Sequence, residues 1–267
     1  MNLRAPTKRS ITLQPVRPNL GVEAAYRRKL DALVIDMNNS VLYWMSAAYK
    51  ANPPAMAMDA SPAAALTAMM RRLGKRWIKR FDDASKDIAA VFATQSREAA
   101  ERSMKKILAD VGFSVPFTQT PAMKDAFDSV LSSNVALIKS IPSQQFEKIE
   151  GAIMRSVQSG RDLKSLQTEL LGLGDISKNR AAFIARDQSN KATAVMSKAR
   201  RLSLGLTKAK WMHSGGGVHP RPSHVAANGK EYDVAQGCLI DGEYIMPGEL
   251  PNCRCQSRAI IPGFDNE

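Results

Sequence analysis

Cysteine is scarce in this chain: there are three in 267 residues, an odd number and too few for a disulfide framework. That scarcity points to reduced thiols or metal ligands and away from an extracellular life. Aromatic residues, at 6%, are thin for a mostly β protein, whose strands draw heavily on them. No run approaches the roughly 20 apolar residues that a bilayer span requires. The N-terminus also lacks the apolar core of a signal peptide, so a soluble protein made in a cytosol is expected. Phosphate-binding glycine motifs, zinc-protease helix motifs and nucleophile elbows are all absent, which removes the commonest sequence-legible enzyme classes. Acids are outnumbered, 25 against 38 Lys and Arg, for a net charge of +13. This surplus favours an anionic partner: nucleic acid, a membrane surface or an acidic protein patch. The helix that a membrane-surface protein needs, bulky and apolar on one side and cationic on the other, is not evident.

What the chain has is helical periodicity. Ala25, Leu30, Leu33, Val34, Met37, Val41, Trp44 and Met45 recur in steps of three and four up to Asn52-Pro53-Pro54, a first amphipathic helix from Val22 to about Ala51. Ser61-Pro62 opens a second pattern, from Leu66 to Leu108 and Gly112, read as one very long helix or as two joined near Thr94–Ser96. Thr120-Pro121 opens a third helix, with Ile141-Pro142 as an interruption before a further helix to Gln158. A short helix from Asp162 is expected to stop at Gly172 and Gly174, and Ser177 to cap the next, which runs to Leu204-Gly205. Beyond Gly205 glycine and proline crowd together, and short strands are expected at Lys230–Val234, Cys238–Ile240, Glu243–Met246 and Arg258–Ile261, with Asp241-Gly242 as a hairpin turn. The expected fold class is mainly α, a long-helix bundle plus a small α+β C-terminal module of short antiparallel strands. The expected domains are a basic flexible arm over 1–21, a helical bundle over 22–160 and the module over 161–267.

Chemistry concentrates in the module. All three histidines (213, 219, 224) and all three cysteines (238, 253, 255) lie within residues 213–255. Imidazole and thiolate are zinc's preferred ligands, and alternate residues of an extended strand point the same way, so Cys253 and Cys255 can face one ion. His219 and His224 are the candidate ligands to complete it, with Zn2+ as the cofactor. Packed or free thiols with surface histidines are the alternative. From Gln188 to Lys230 there is no carboxylate, while Lys191, Lys198, Arg200, Arg201, Lys208, Lys210 and Arg221 form a candidate phosphate-binding face for DNA. Trp211 either stacks on a base or packs in the core. His213, His219, His224 and Arg221 also supply the residue types of a metal-independent nuclease, without anything that fixes their geometry.

The order of motifs carries a further reading. Ser177 to Gln188, Lys210-Trp211, His219 to His224, Asn228-Gly229-Lys230-Glu231-Tyr232 and Pro251-Asn252-Cys253-Arg254-Cys255 together resemble the phage head morphogenesis proteins of the Mu F-like minor head family. The resemblance covers roughly residues 160–262, and Asp187-Gln188 stands where that family usually carries Thr-Glu. It implies a minor capsid component of a tailed bacteriophage, present in few copies. Such a protein binds the portal vertex inside the head, contacts packaged double-stranded DNA and other head proteins, and aids assembly and genome packaging or ejection. It implies no enzymatic activity for this module, no membrane partner, and a life in the virion and, during assembly, the host cytoplasm. Little chain follows Pro262-Gly263, so a fused effector domain is not expected.

Overall fold

A computed structural model of the protein describes residues 10–51, 61–158, 163–216 and 219–263. The elements in chain order are β1 (Ile11–Thr12), α1 (Leu20–Ala51), α2 (Ser61–Ala109), α3 (Pro121–Gln158), α4 (Leu163–Ser203), β2 (Lys208–Met212), α5 (Pro222–Ala226), β3 (Glu231–Asp233), β4 (Cys238–Ile240), β5 (Glu243–Ile245) and β6 (Gln256–Ile261). The expected class is found: long helices with a small antiparallel C-terminal region.

The residues group into two compact units that interleave along the sequence, where composition suggests one boundary near residue 160. One comprises Met1–Glu23, Phe92–Val130 and Arg186–Glu267, the other Ala24–Val91 and Leu131–Ala185. Each of α1 to α4 contributes to both.

The second unit is a helical bundle whose core follows the sequence stripes. Leu30, Val34, Met37, Val41 and Met45 of α1 are buried, with Leu73, Trp77 and Phe81 of α2, Ile138, Ile141, Ile149 and Ile153 of α3, and Leu166 and Leu170 of α4. Each such side chain contributes about 1.5–3 kcal/mol on leaving water. Two expected helix breaks are overridden here. Pro142 lies inside α3; it costs roughly 3 kcal/mol in a helix interior, less than the combined burial of the isoleucines on either side. Gly172 and Gly174 lie inside α4. Asn38 Nδ2 donates to the Gly174 carbonyl oxygen at 3.2 Å and to Ser177 Oγ at 3.1 Å, an approach that a side chain at 174 would crowd. Ser177 is therefore no N-cap: it is buried in mid-helix and its hydroxyl donates to the Gly174 carbonyl oxygen at 2.8 Å.

In the first unit the caps obey local rules. Asn19 Oδ1 accepts from the N–H groups of Gly21 and Val22 at the start of α1, and Thr120 Oγ1 accepts from Met123 N–H at the start of α3. Gly112 and Gly205 adopt φ of 87° and 72° where α2 and α4 end, with Phe113 N–H bonding back to Leu108 and Leu206 N–H to Arg201, the left-handed glycine stop. A four-stranded antiparallel sheet has the order β1-β6-β2-β3, and β4-β5 is a separate hairpin. Asp241 and Gly242 both take positive φ, 53° and 84°, as a two-residue hairpin turn requires.

The expected arm needs correcting. Residues 1–9 lie outside the described residues, but Ile11 and Thr12 pair with Ile261 and Ile260 of β6, and Leu13 and Val16 are buried. The segment has too little apolar surface to fold alone, but β6 offers an open edge and Arg258 Nε donates to the Leu13 carbonyl oxygen at 3.0 Å.

Two glycines in the bundle test how packing and propensity compete. A Cβ at Gly74 would lie 3.0 Å from the ring of Phe146, whereas one at Gly172 meets nothing within 4 Å. Gly172→Ala is expected to raise stability by about 1 kcal/mol. Gly74→Ala is expected to lower it, because overpacking costs about 1–3 kcal/mol. Paired thermal melts showing the same sign for both changes would refute the packing account.

Candidate functional site

The C-terminal module closes around its own small core. Ala209 and Trp211 of β2, Tyr232 and Val234, Cys238 and Ile240 of β4, Ile245 of β5, Ala227, Cys253 and Cys255 are buried together, with Leu202, Met246 and Leu250 packed against them. Alternation puts Ala209 and Trp211 on the inner face of β2 and leaves Lys208 exposed and Lys210 half-exposed. Trp211, 1% exposed, is thus a core residue and not a stacking platform.

Against this core sit His224 of α5 and the Cys253 and Cys255 sulfurs. His224 Nδ1 is 3.5 Å from Cys253 Sγ and 3.7 Å from Cys255 Sγ, and the three ligand atoms all lie within 4.8 Å of one another. The Trp211 indole meets the His224 ring edge-on at 5.1 Å. The Cys253 thiol is pulled down to about 5, chiefly by the hydrogen bond from the Cys255 thiol, helped by the N–H groups of Cys255 and Gly248. Cys255, donating that bond and buried, is pushed up. Of the four residues anticipated for a metal, three converge; His219 is exposed and outside the group. Cys238 is buried as a free thiol, raised by desolvation, and is not part of the trio.

The loop that carries the two sulfurs is held from several directions. Asn252 takes φ of 58°, and its N–H donates to Asp187 Oδ1 of α4 at 2.6 Å. The other Asp187 oxygen is 2.9 Å from Lys191 Nζ. Arg221, just before α5, donates to the Pro251 carbonyl oxygen at 2.9 Å. Asp187 is the functional residue that pattern reading missed. A buried carboxylate among helical polar residues was the available signal, but its partner is a backbone N–H 65 residues away, which leaves no trace in sequence.

The seven cations expected to face DNA divide once folded. Arg200 is 3% exposed, paired with Glu101 Oε1 at 2.6 Å, donating to the Thr118 carbonyl oxygen at 2.7 Å and lying over the Phe117 ring at 4.4 Å. Arg201 is 2% exposed, donates to the Ser257 carbonyl oxygen at 2.7 Å, and is pushed down to about 10 by burial. Neither can reach a phosphate: burying a cation demands internal partners, and these have them. Lys191 holds Asp187, Lys198 Nζ donates to the Ala235 carbonyl oxygen at 3.1 Å, Lys210 pairs with Glu231 at 3.3 Å, and Arg221 holds Pro251. Lys208 points to solvent. In the other unit, α2 presents Arg71, Arg72, Lys75, Arg76, Lys79 and Arg80 all exposed. This basic stripe is broken only by the buried Leu73, Gly74 and Trp77 and by Ile78.

His224 does not fit a nuclease role either. At 3% exposure and against two sulfurs its ring cannot exchange a proton with a bound phosphodiester, which general acid–base catalysis requires. His213 lies at the surface, its Nδ1 accepting from Gly215 N–H at 3.2 Å.

Asp187→Ala is expected to destabilise the protein by about 1.5–3 kcal/mol, the range for a lost hydrogen bond to a charged group. It should also accelerate amide exchange at Asn252 selectively, while Asp187→Asn keeps an acceptor and costs less. Exchange at Asn252 that stays at its original rate in Asp187→Ala would remove the anchoring role.

No solved structure matches the chain. An uncharacterized protein of Haemophilus influenzae is 29% identical over 99% of this chain, which spans 58% of that protein's length. The family model described as phage Mu protein F like protein matches residues 147–258, a span that holds the Asp187 anchor, the Trp211 strand, His224 and the Cys253–Cys255 loop. Over those residues the chain is similar to phage Mu protein F.

Proposed function

We propose that the chain is a structural minor head protein of a tailed bacteriophage. It binds at the portal vertex inside the head, contacts packaged double-stranded DNA and aids assembly and genome packaging or ejection. The observation that carries this reading is the family match over residues 147–258, a span that contains the Asp187-anchored loop and the buried residues of the small core. The physical mechanism is binding. Long helices present side surfaces for other head proteins, and exposed Lys and Arg release counterions from DNA phosphates. No helix among the described residues is long and apolar enough to cross a membrane.

The DNA-contacting face in this reading excludes Arg200 and Arg201, which are committed internally. The cations left for phosphate are, in one unit, Lys208 and, separately in the other, Arg72, Lys75 and Arg76 of α2. Each phosphate neutralised contributes a slope of about −0.9 to log K against log salt on duplex DNA. Changing Arg72, Lys75 and Arg76 together to Ala is expected to flatten that slope by roughly 2–3 units. Fluorescence anisotropy over a salt series measures it, and an unchanged slope would take α2 out of the DNA face. Position is tested separately by imaging particles carrying a tagged chain: density at the portal vertex supports the reading, and its absence from the particle overturns it.

A further inference from the structure

We propose that His224 Nδ1, Cys253 Sγ and Cys255 Sγ bind a zinc ion that staples the C-terminal loop to α5, a site that does not depend on what the chain docks on.

Three observations converge on an ion. The first is metric. Zinc binds sulfur at about 2.3 Å and imidazole nitrogen at about 2.0–2.1 Å, so tetrahedral angles place ligand nitrogen and sulfur about 3.6 Å apart. The structure has Nδ1 at 3.5 Å and 3.7 Å from the two sulfurs. One ring nitrogen carries at most one proton and can donate to only one sulfur, yet it stands nearly equidistant from both. A cation bonded to all three atoms accounts for that symmetry.

The second is the surroundings of the sulfurs. Cys253 Sγ and Cys255 Sγ stand with His224 Nδ1 so that the three atoms lie within 4.8 Å of one another, on a loop fixed by Asp187 at Asn252 and by Arg221 at Pro251. Outer contacts of this kind hold ligand atoms in position in metal sites. Two adjacent thiolates repel unless a cation lies between them.

The third is burial and chemical type. All three residues are buried, at 3%, 3% and 6% exposure, and the soft sulfur and imidazole set suits zinc over magnesium or calcium, which take oxygen ligands. The core they join is small and fed by short strands and loops, where a metal cross-link stabilises what hydrophobic burial alone supplies weakly. Zinc's remaining position is left to a ligand outside this trio.

The test uses the full chain purified without chelator. Metal analysis is expected to give about one zinc per chain. After removal of zinc with a competing chelator, added cobalt(II) should produce a sulfur-to-cobalt charge-transfer band and the intense visible bands of tetrahedral coordination. Cys253→Ser and Cys255→Ser should lose the charge-transfer intensity in part and His224→Ala should weaken retention, while Cys238→Ser keeps the full spectrum. Wild-type protein with neither zinc nor cobalt bands overturns the proposal, as does a disulfide joining Cys253 to Cys255 or an unaltered spectrum in both serine variants. The wild-type readings decide even where a variant fails to fold.

Discussion

The C-terminal half of α4 is buried while carrying charge, and that constraint organises the unit around it. Asp187, Arg200 and Arg201 are each 5% exposed or less. A buried ion without partners is too costly to persist, so the surrounding chain must supply them. Asn252 N–H and Lys191 meet Asp187, Glu101 and the Thr118 carbonyl meet Arg200, and the Ser257 carbonyl meets Arg201. The directions of these bonds place the 113–120 segment, the loop before Cys253 and the start of β6 against one helix.

This economy explains why net charge misleads when read locally. The acid-free stretch over residues 188–230 looks like one basic face, because a linear count cannot distinguish a cation aimed at a phosphate from one aimed at a carbonyl. Folding spends Arg200 and Arg201 inside and ties Lys191, Lys198 and Arg221 to the chain's own oxygens. The exposed positive charge that remains includes the α2 stripe, where apolar residues at helical spacing bury Leu73 and Trp77 and thereby turn the arginines and lysines outward. The helical period itself sorts those side chains.

The sulfur and imidazole cluster follows a different logic. Cys253 and Cys255 lie together on the loop before β6, whereas His224 arrives from α5 and Trp211 from β2. Positioning comes from anchors on both sides of the loop, Asp187 at Asn252 and Arg221 at Pro251. A site supported this way keeps its shape because its backbone is fixed, not only its side chains.

Much of the fold was legible in the residues. Helical stripes marked the buried faces of α1 to α4, Thr120-Pro121 and Gly205 marked helix ends, Asp241-Gly242 marked a hairpin, and Cys253 and Cys255 announced a shared direction. These are local signals, set by backbone sterics and by the period of side-chain placement. What tertiary structure decided is whatever depends on a distant partner. Pro142 and Gly172 stay helical because both flanks of their helices bury apolar side chains. Residues 11–12 become a strand because β6 has a free edge, and His224 rather than His219 joins the cysteines because α5 points it inward. Local preferences are worth about a kilocalorie or a few, and the burial of many side chains in one core outweighs them wherever the two conflict.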